Sequence, residues 1–245
     1  MNILCVIPAR FSSSRLPGKP LADIAGKPMI QHVYARAKLA KRPNEVIVAT
    51  DHELVFQAVE GFGGKVVMTD ANHPTGTDRL AEVAKLYPDA AIIINVQGDE
   101  PLIAPEVIDA LAEAFDQAPP EMVMATLKTE AAEEEIHNPA VVKVVTDLAG
   151  NALYFSRSLI PYPRTQLAGT KVYKHIGIYA YRREFLLAYA ALAPTPLEQT
   201  ESLEQLRALE HGYRIKVLKT EFQSIGVDTP EDLQHVNAMF ARQEV

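Results

Sequence analysis

Short runs of consecutive apolar residues alternate, along the first half of the chain, with stretches in which apolar positions recur at helical spacing. Residues 3–7 are an unbroken apolar run ended by Pro8, which predicts a strand buried on both faces. Met29, Ile30, Val33, Tyr34 and Ala37 then repeat at three- and four-residue intervals, and Pro28 suits a first helical turn. The rhythm continues with strands over 46–49, 65–68 and 92–96 and helices over 54–59, 79–86 and 105–115. A β-α-β-α order implies a mostly parallel sheet covered by helices on both faces.

The second half breaks this rhythm. Residues 141–145 and 152–155 read as strands, and Pro161, Pro163 and Gly169 mark an excursion without periodicity. Residues 172–181 read as a strand with polar residues at unexpected places. A helix over 197–210 and a strand over 215–218 follow. The last helix has a defined start, with Thr229 as N-cap, Pro230 at the first position and Asp232 three residues after the cap. No internal repeat or low-complexity linker is present. The expected organisation is a single α/β nucleotide-binding domain over 1–245 with an inserted lobe around 129–190.

Composition narrows the function. The chain has 245 residues, 48% of them hydrophobic, enough for one good core. Its net charge of −7 and the lack of a basic stripe argue against nucleic acid as a partner. An acidic enzyme with an anionic substrate must concentrate its few cations in the site. The single cysteine, Cys5, excludes an intrachain disulfide framework and reads as a small core residue. Residues 1–7 have no basic segment before their apolar run, and the apolar stretch 90–94 is far too short to span a bilayer. The expectation is a cytoplasmic protein with no membrane insertion.

In open α/β sheets, ligands sit beyond the carboxyl ends of the strands, so the residues after each strand carry most information. After the first strand come Arg10, Arg15 and Lys19, with Ser12, Ser13, Ser14 and Gly18 between them. Such a loop can bring backbone N–H groups and cations to a triphosphate, and it can equally be a solvated basic loop. It is not a Walker A loop, because Pro20 follows Lys19, and no G-x-G-x-x-G fingerprint is present. After the fourth strand comes Gln97-Gly98-Asp99-Glu100-Pro101, in which Asp99 can bind a hard cation or cap its turn. Asp228, just before the last helix, can favour the helix dipole or be a second metal ligand. His175 precedes an apolar strand and by sequence alone reads as a satisfied core histidine. The run 133–135 reads as a solvated helix face. The histidines lack zinc-site spacing, and no G-x-S-x-G elbow occurs.

Together these segments resemble a family. Pro8-Ala9-Arg10 with Ser14-Arg15-Leu16-Pro17-Gly18-Lys19-Pro20 is similar to the opening of the CMP-sugar synthetases. Val96-Gln97-Gly98-Asp99-Glu100-Pro101 and Gly226-Val227-Asp228-Thr229-Pro230-Glu231-Asp232 resemble the family's two acidic motifs. Thr75-Gly76-Thr77-Asp78-Arg79-Leu80, Ala152-Leu153-Tyr154-Phe155-Ser156-Arg157, His175-Ile176-Gly177-Ile178-Tyr179 and Leu203-Glu204-Gln205-Leu206-Arg207 resemble its branch acting on 3-deoxy-manno-octulosonate (Kdo). The likeness is collinear from about residue 3 to about residue 236. Tyr162-Pro163-Arg164 and Tyr181-Arg182-Arg183 are similar to capsule-associated members. Thr75 departs from the more usual serine but keeps the hydroxyl.

The resemblance implies a Rossmann-like nucleotidyltransferase sheet flanked by helices, with a smaller inserted lobe for dimerisation and sugar binding. It implies transfer of CMP from CTP to the anomeric hydroxyl of Kdo, with release of pyrophosphate, for lipopolysaccharide or capsule synthesis. Arg10, Arg15 and Lys19 would hold the phosphates, and Ala9 and Arg79 would help seat the nucleotide. Asp99 and Asp228 would bind Mg2+ and, with Lys19, form the catalytic set. Gln97, Arg157, His175, Tyr179, Glu204 and Gln205 would line the sugar-acid pocket, with Arg157 on the carboxylate. Glu204 and Gln205 diverge by about 100° on one helix, so both can face one pocket only at a helix end. Relatives are homodimers, and residues 158–174, with Leu159, Ile160, Tyr162 and Leu167, would supply the interface. Three other readings stay open: the same chemistry on another 2-keto sugar acid, such as sialic acid or 8-amino Kdo; a nucleotide-binding oxidoreductase, opposed by the missing glycine fingerprint; and an inactive CTP-binding regulator, opposed by the intact cation loop and acidic motifs.

Overall fold

The computed structural model describes residues 1–13, 15–165 and 171–242, so Ser14, Leu167 and Gly169 lie outside the described residues. The first strand, β1 (Ile3–Ala9), is central, and its apolar run is explained by two packed faces. Ile3, Cys5, Ile7 and Ala9 enter one core cluster and Leu4 and Val6 the other. Cys5 is fully buried, and burial pushes its thiol up to about 12. A hairpin follows, β2 (Asp23–Ile24) and β3 (Lys27–Pro28), turning through Ala25 and Gly26, both at positive φ. Pro28 is the cap of α1 (Met29–Ala37), one position earlier than expected. Then come β4 (Glu45–Thr50), α2 (Glu53–Gly61), β5 (Val66–Met68), α3 (Gly76–Leu86), β6 (Ile92–Asn95) and α4 (Pro105–Glu113).

Beyond α4 lie β7 (Met124–Glu130), β8 (Lys143–Thr146), β9 (Ala152–Ser156), β10 (Tyr173–Arg182) and α5 (Arg183–Ala190). Next are α6 (Pro196–Glu201), α7 (Leu206–Glu210), β11 (Ile215–Lys219) and α8 (Pro230–Ala241). The helix expected over 197–210 is therefore two helices, broken at Ser202, whose φ of 52° is left-handed. The run 133–135 is a short 3-10 turn whose Glu135 pairs with Lys174.

Among the described residues, nine strands form one sheet in the order β11-β7-β10-β6-β1-β4-β5, with β8 and β9 branching from β10. The pairings β1–β4, β1–β6, β4–β5 and β7–β11 are parallel, and β10 is antiparallel to both β6 and β7. This is the mixed, mostly parallel α/β sheet with flanking helices that the sequence implies. The strand path reverses beside β1, which makes the crevice between the ends of β1 and β6 the topological switch point. The described residues between β7 and β10 leave this path through the β8–β9 hairpin, while β10 returns to the main sheet. There Tyr179 lies opposite Asn95. A third small cluster, Ile24, Met29, Val227 and Val236, fastens α8 to the β2–β3 hairpin and so brings residue 228 to the mouth of the crevice.

Candidate active site

Two backbone features shape the cleft at the switch point. Gly18 adopts φ 66°, turning the cation loop back before Lys19. Gly98 lies so close to the first loop that a Cβ there would stand 2.6 Å from the carbonyl oxygen of Pro8. The resulting cleft has a volume of about 370 Å3 and is lined by Ala9, Arg10, Arg15, Lys19, Gln97, Asp99 and Asp228, among others.

Lys19 joins its two acidic partners. Its Nζ stands 2.5 Å from Asp99 Oδ2 and 2.8 Å from Asp228 Oδ1. Burial opposes the charge on Lys19, but the pairs with Asp99 and Asp228 outweigh it and hold the ammonium above the ordinary lysine range. Arg15 reaches the same Asp228 oxygen at 3.0 Å. Asp228 is not occupied in capping α8, because Thr229 and Asp232 form that capping box themselves, at 3.2 and 2.9 Å. Arg10 is exposed, with Nη1 3.4 Å from the carbonyls of His73 and Pro74.

Arg79 does not reach the cleft. Its side chain is fully buried, ion-paired with Asp51 Oδ2 at 2.9 Å and bonded to the Thr69 hydroxyl, and burial lowers its pKa. Asp51 Oδ1 accepts from the Phe11 N–H at 3.2 Å. Arg79 therefore meets the cation loop through Asp51.

A second cavity of about 170 Å3 adjoins the cleft and shares Gly76 and Gln97 with it. Gln97, Tyr179, Glu204 and Gln205 line it. Ser202 explains how two neighbouring residues serve one cavity: the chain turns there, and Glu204 and Gln205 sit at the start of α7, with Gln205 as its cap. The Glu204 carboxylate accepts from Thr75 Oγ1 at 3.2 Å and Thr77 Oγ1 at 3.0 Å. Burial raises its pKa, against the opposing pull of these hydroxyls and of Arg207. Gln97 Nε2 donates to Gly177 O at 2.9 Å, at the bulge of β10.

His175 and Arg157 are not on the wall of this cavity. The half-buried His175 ring meets Phe155 edge-on at 5.0 Å and lies 5.3 Å from Tyr179, and burial pushes the imidazole down to about 3. Its Nε2 is 2.9 Å from Thr126 Oγ1. The Arg157 guanidinium donates to three backbone carbonyls, those of Glu201 at 2.8 Å, Pro139 at 3.1 Å and Ser202 at 3.4 Å. The sequence reading missed Asn95, Tyr181 and Tyr189, which also line the cavity. Asn95 had a signal, since it ends the strand that leads into Gln97 and Asp99, and the three line in turn the cavity, both spaces and the cleft.

Among the described residues no three acidic, histidine or cysteine side chains cluster as a metal site. Asp99 and Asp228 nonetheless converge on one cation, the Lys19 ammonium, from oxygens 2.5 and 2.8 Å away. Two carboxylate oxygens, with phosphate and water oxygens to complete the shell, are a donor set that suits a hard divalent ion.

The chain matches the cytidylyltransferase family over residues 4–217. It is 56% identical to the 3-deoxy-manno-octulosonate cytidylyltransferase of Solibacter usitatus, over 98% of this chain and 94% of that one. With the enzyme of the same name from Geobacter sulfurreducens it shares 55% identity over 96% and 98% of the two chains. A solved structure of CMP:2-keto-3-deoxy-manno-octonic acid synthetase complexed with CTP superposes with a TM-score of 0.94 at 48% identity, covering 99% of this chain and all of that one. The 4-diphosphocytidyl-2C-methyl-D-erythritol synthase of Anaerococcus prevotii shares the fold, with a TM-score of 0.65 at 17% identity.

Proposed function

The chain belongs to the 3-deoxy-manno-octulosonate cytidylyltransferases, and from that footing we propose how its residues divide the reaction. It is a nucleotidyltransferase that passes CMP from CTP to the anomeric hydroxyl of Kdo, forming CMP-Kdo and pyrophosphate. The observation that carries the assignment of parts is the Lys19 ammonium held between Asp99 and Asp228 in the larger cleft, which adjoins the smaller cavity at Gly76 and Gln97.

The larger cleft takes CTP, with Arg10, Arg15 and Lys19 on its phosphates and the backbone at Ala9 and Gly98 packed too closely to leave room for a bulkier loop. Nucleotidyl transfer depends on positioning and charge neutralisation rather than a covalent intermediate. Fixed cations serve that need because they require no reorganisation as charge moves to the leaving pyrophosphate. The smaller cavity takes the sugar acid, with Gln97, Tyr179, Glu204 and Gln205 meeting its hydroxyls. Arg79 seats the nucleotide indirectly, by fixing Asp51 and through it the Phe11 N–H. For Arg157 to meet the sugar carboxylate, its bonds to the carbonyls of Glu201, Pro139 and Ser202 must open.

Cytidylyltransferases use a divalent cation, and we take it to be Mg2+, held by Asp99 and Asp228. When bound, the ion neutralises triphosphate charge and lowers the pKa of an acceptor hydroxyl. Homodimerisation through residues 158–174 and a cytoplasmic location complete the reading; no helix among the described residues is long and apolar enough to cross a membrane.

Pyrophosphate release tests the reading. Kdo with CTP and Mg2+ is expected to give release well above that with sialic acid or 8-amino Kdo, and ATP or GTP in place of CTP is expected to give little. Equal release from ATP, or a preference for sialic acid, would overturn it.

A further inference from the structure

Asn95 ends β6 at the wall of the smaller cavity and is only 4% exposed. Its Oδ1 is buried and has no hydrogen-bond partner. Several neighbouring polar groups of the wall are already engaged. The Glu204 carboxylate accepts from Thr75 and Thr77, Gln97 Nε2 donates to Gly177 O, and the Tyr189 hydroxyl donates to Glu204 O at 2.6 Å. A buried acceptor without a donor is destabilising, and native chains satisfy nearly all such atoms. An orphan of this kind in a cavity wall calls for a donor from a ligand.

We infer that Asn95 is a sugar-binding residue whose carboxamide turns into the cavity when the sugar acid enters, so that its Oδ1, buried in the empty site, accepts a hydrogen bond from a hydroxyl of the sugar acid. The inference rests on the reading of the smaller cavity as the sugar-acid site. Geometry supports the role in two further ways. The pairings of β6 with β1 on one side and β10 on the other, which include Val6↔Asn95 and Tyr179↔Asn95, fix the Asn95 backbone, so its side chain is held on a rigid element. Asn95 ends β6, and Gln97 and Asp99 follow in the loop after it, so a single segment runs from the smaller cavity to the carboxylate that faces Lys19. An acceptor-only atom discriminates between substrates: it welcomes an O–H or N–H and rejects an analogue lacking that donor.

The role predicts an unusual pairing of effects. Asn95→Leu removes the orphan acceptor and keeps a similar volume, so the unliganded protein should melt at the same temperature or higher. The KM for Kdo should nonetheless rise roughly tenfold, as for one lost hydrogen bond to a neutral group, while the KM for CTP stays within about twofold. Asn95→Ala should raise the Kdo KM similarly if the leucine fills the cavity too tightly to fold. Glu204→Gln, measured in parallel, reports on the cavity itself. If Glu204→Gln weakens Kdo and both Asn95 variants leave its KM unchanged, the inference on Asn95 is overturned and the cavity assignment stands. If none of the three variants changes the Kdo KM, the cavity assignment fails as well.

Discussion

Asp228 is the residue on which two physical accounts divided, and its surroundings separate them. A carboxylate that served the helix dipole would point at the first turn of α8, but that turn is capped by Thr229 and Asp232. Asp228 instead faces Lys19 and Arg15. Asp228→Asn is therefore expected to lower turnover by about two orders of magnitude or more, the scale of losing one preorganised electrostatic group. The melting temperature should change little, because the capping box remains. Steady-state kinetics across a magnesium titration, beside a thermal melt, check this; near-normal turnover at low magnesium would return Asp228 to a structural role. Asp99→Asn should behave alike, and the double variant should be far from additive, as for residues acting as a unit.

At the scale of elements, the sequence was legible wherever one local rule governed. The parallel strands β1, β4 and β6 are buried on both faces and read as apolar runs, and α8 announces its start with Thr229, Pro230 and Asp232. β7 was missed because Thr126 and Thr129 interrupt its apolar pattern. Both are buried, and the Thr126 hydroxyl lies 2.8 and 3.1 Å from the carbonyls of Ile178 and Ile176, so it is satisfied by the bulge of a strand distant in sequence. Helix α5 sits on α3 and was hidden behind the polar pair Arg182-Arg183. The break between α6 and α7 has no glycine to mark it, since Ser202 itself takes the left-handed conformation. That break gives a test. Ser202→Gly should be tolerated or mildly stabilising, whereas Ser202→Val should cost about 1–2 kcal/mol. By displacing Glu204 and Gln205, the valine should also raise the Kdo KM and leave that of CTP nearly unchanged, as melting curves and kinetics would register. The candidate site was legible as residue types, but which of them meet depended on this break and on the placement of β10.

At the scale of the whole molecule, the described residues 158–165 of the excursion leave apolar surface uncovered. Tyr162 is 83% exposed, and a cavity of about 590 Å3 beside it is lined by Ile136, Leu159, Pro161 and Val172 among others. Covering such a surface with its own copy gives a self-complementary two-fold contact. Light scattering at micromolar concentration should report a dimer, and Tyr162→Glu should shift it towards monomer; a monomer at all concentrations would refute the assembly. The three groups that meet at the cleft come from far apart, since Lys19 is 80 residues from Asp99 and 209 from Asp228. Among the described residues every strand of the sheet lies before residue 220, yet those strands and their loops set only one of the two carboxylates, Asp99, beside the lysine. The second arrives with the final helix, once Val227 and Val236 settle on Ile24 and Met29. The packing of α8 on the β2–β3 hairpin is thus what sets the second carboxylate opposite the lysine.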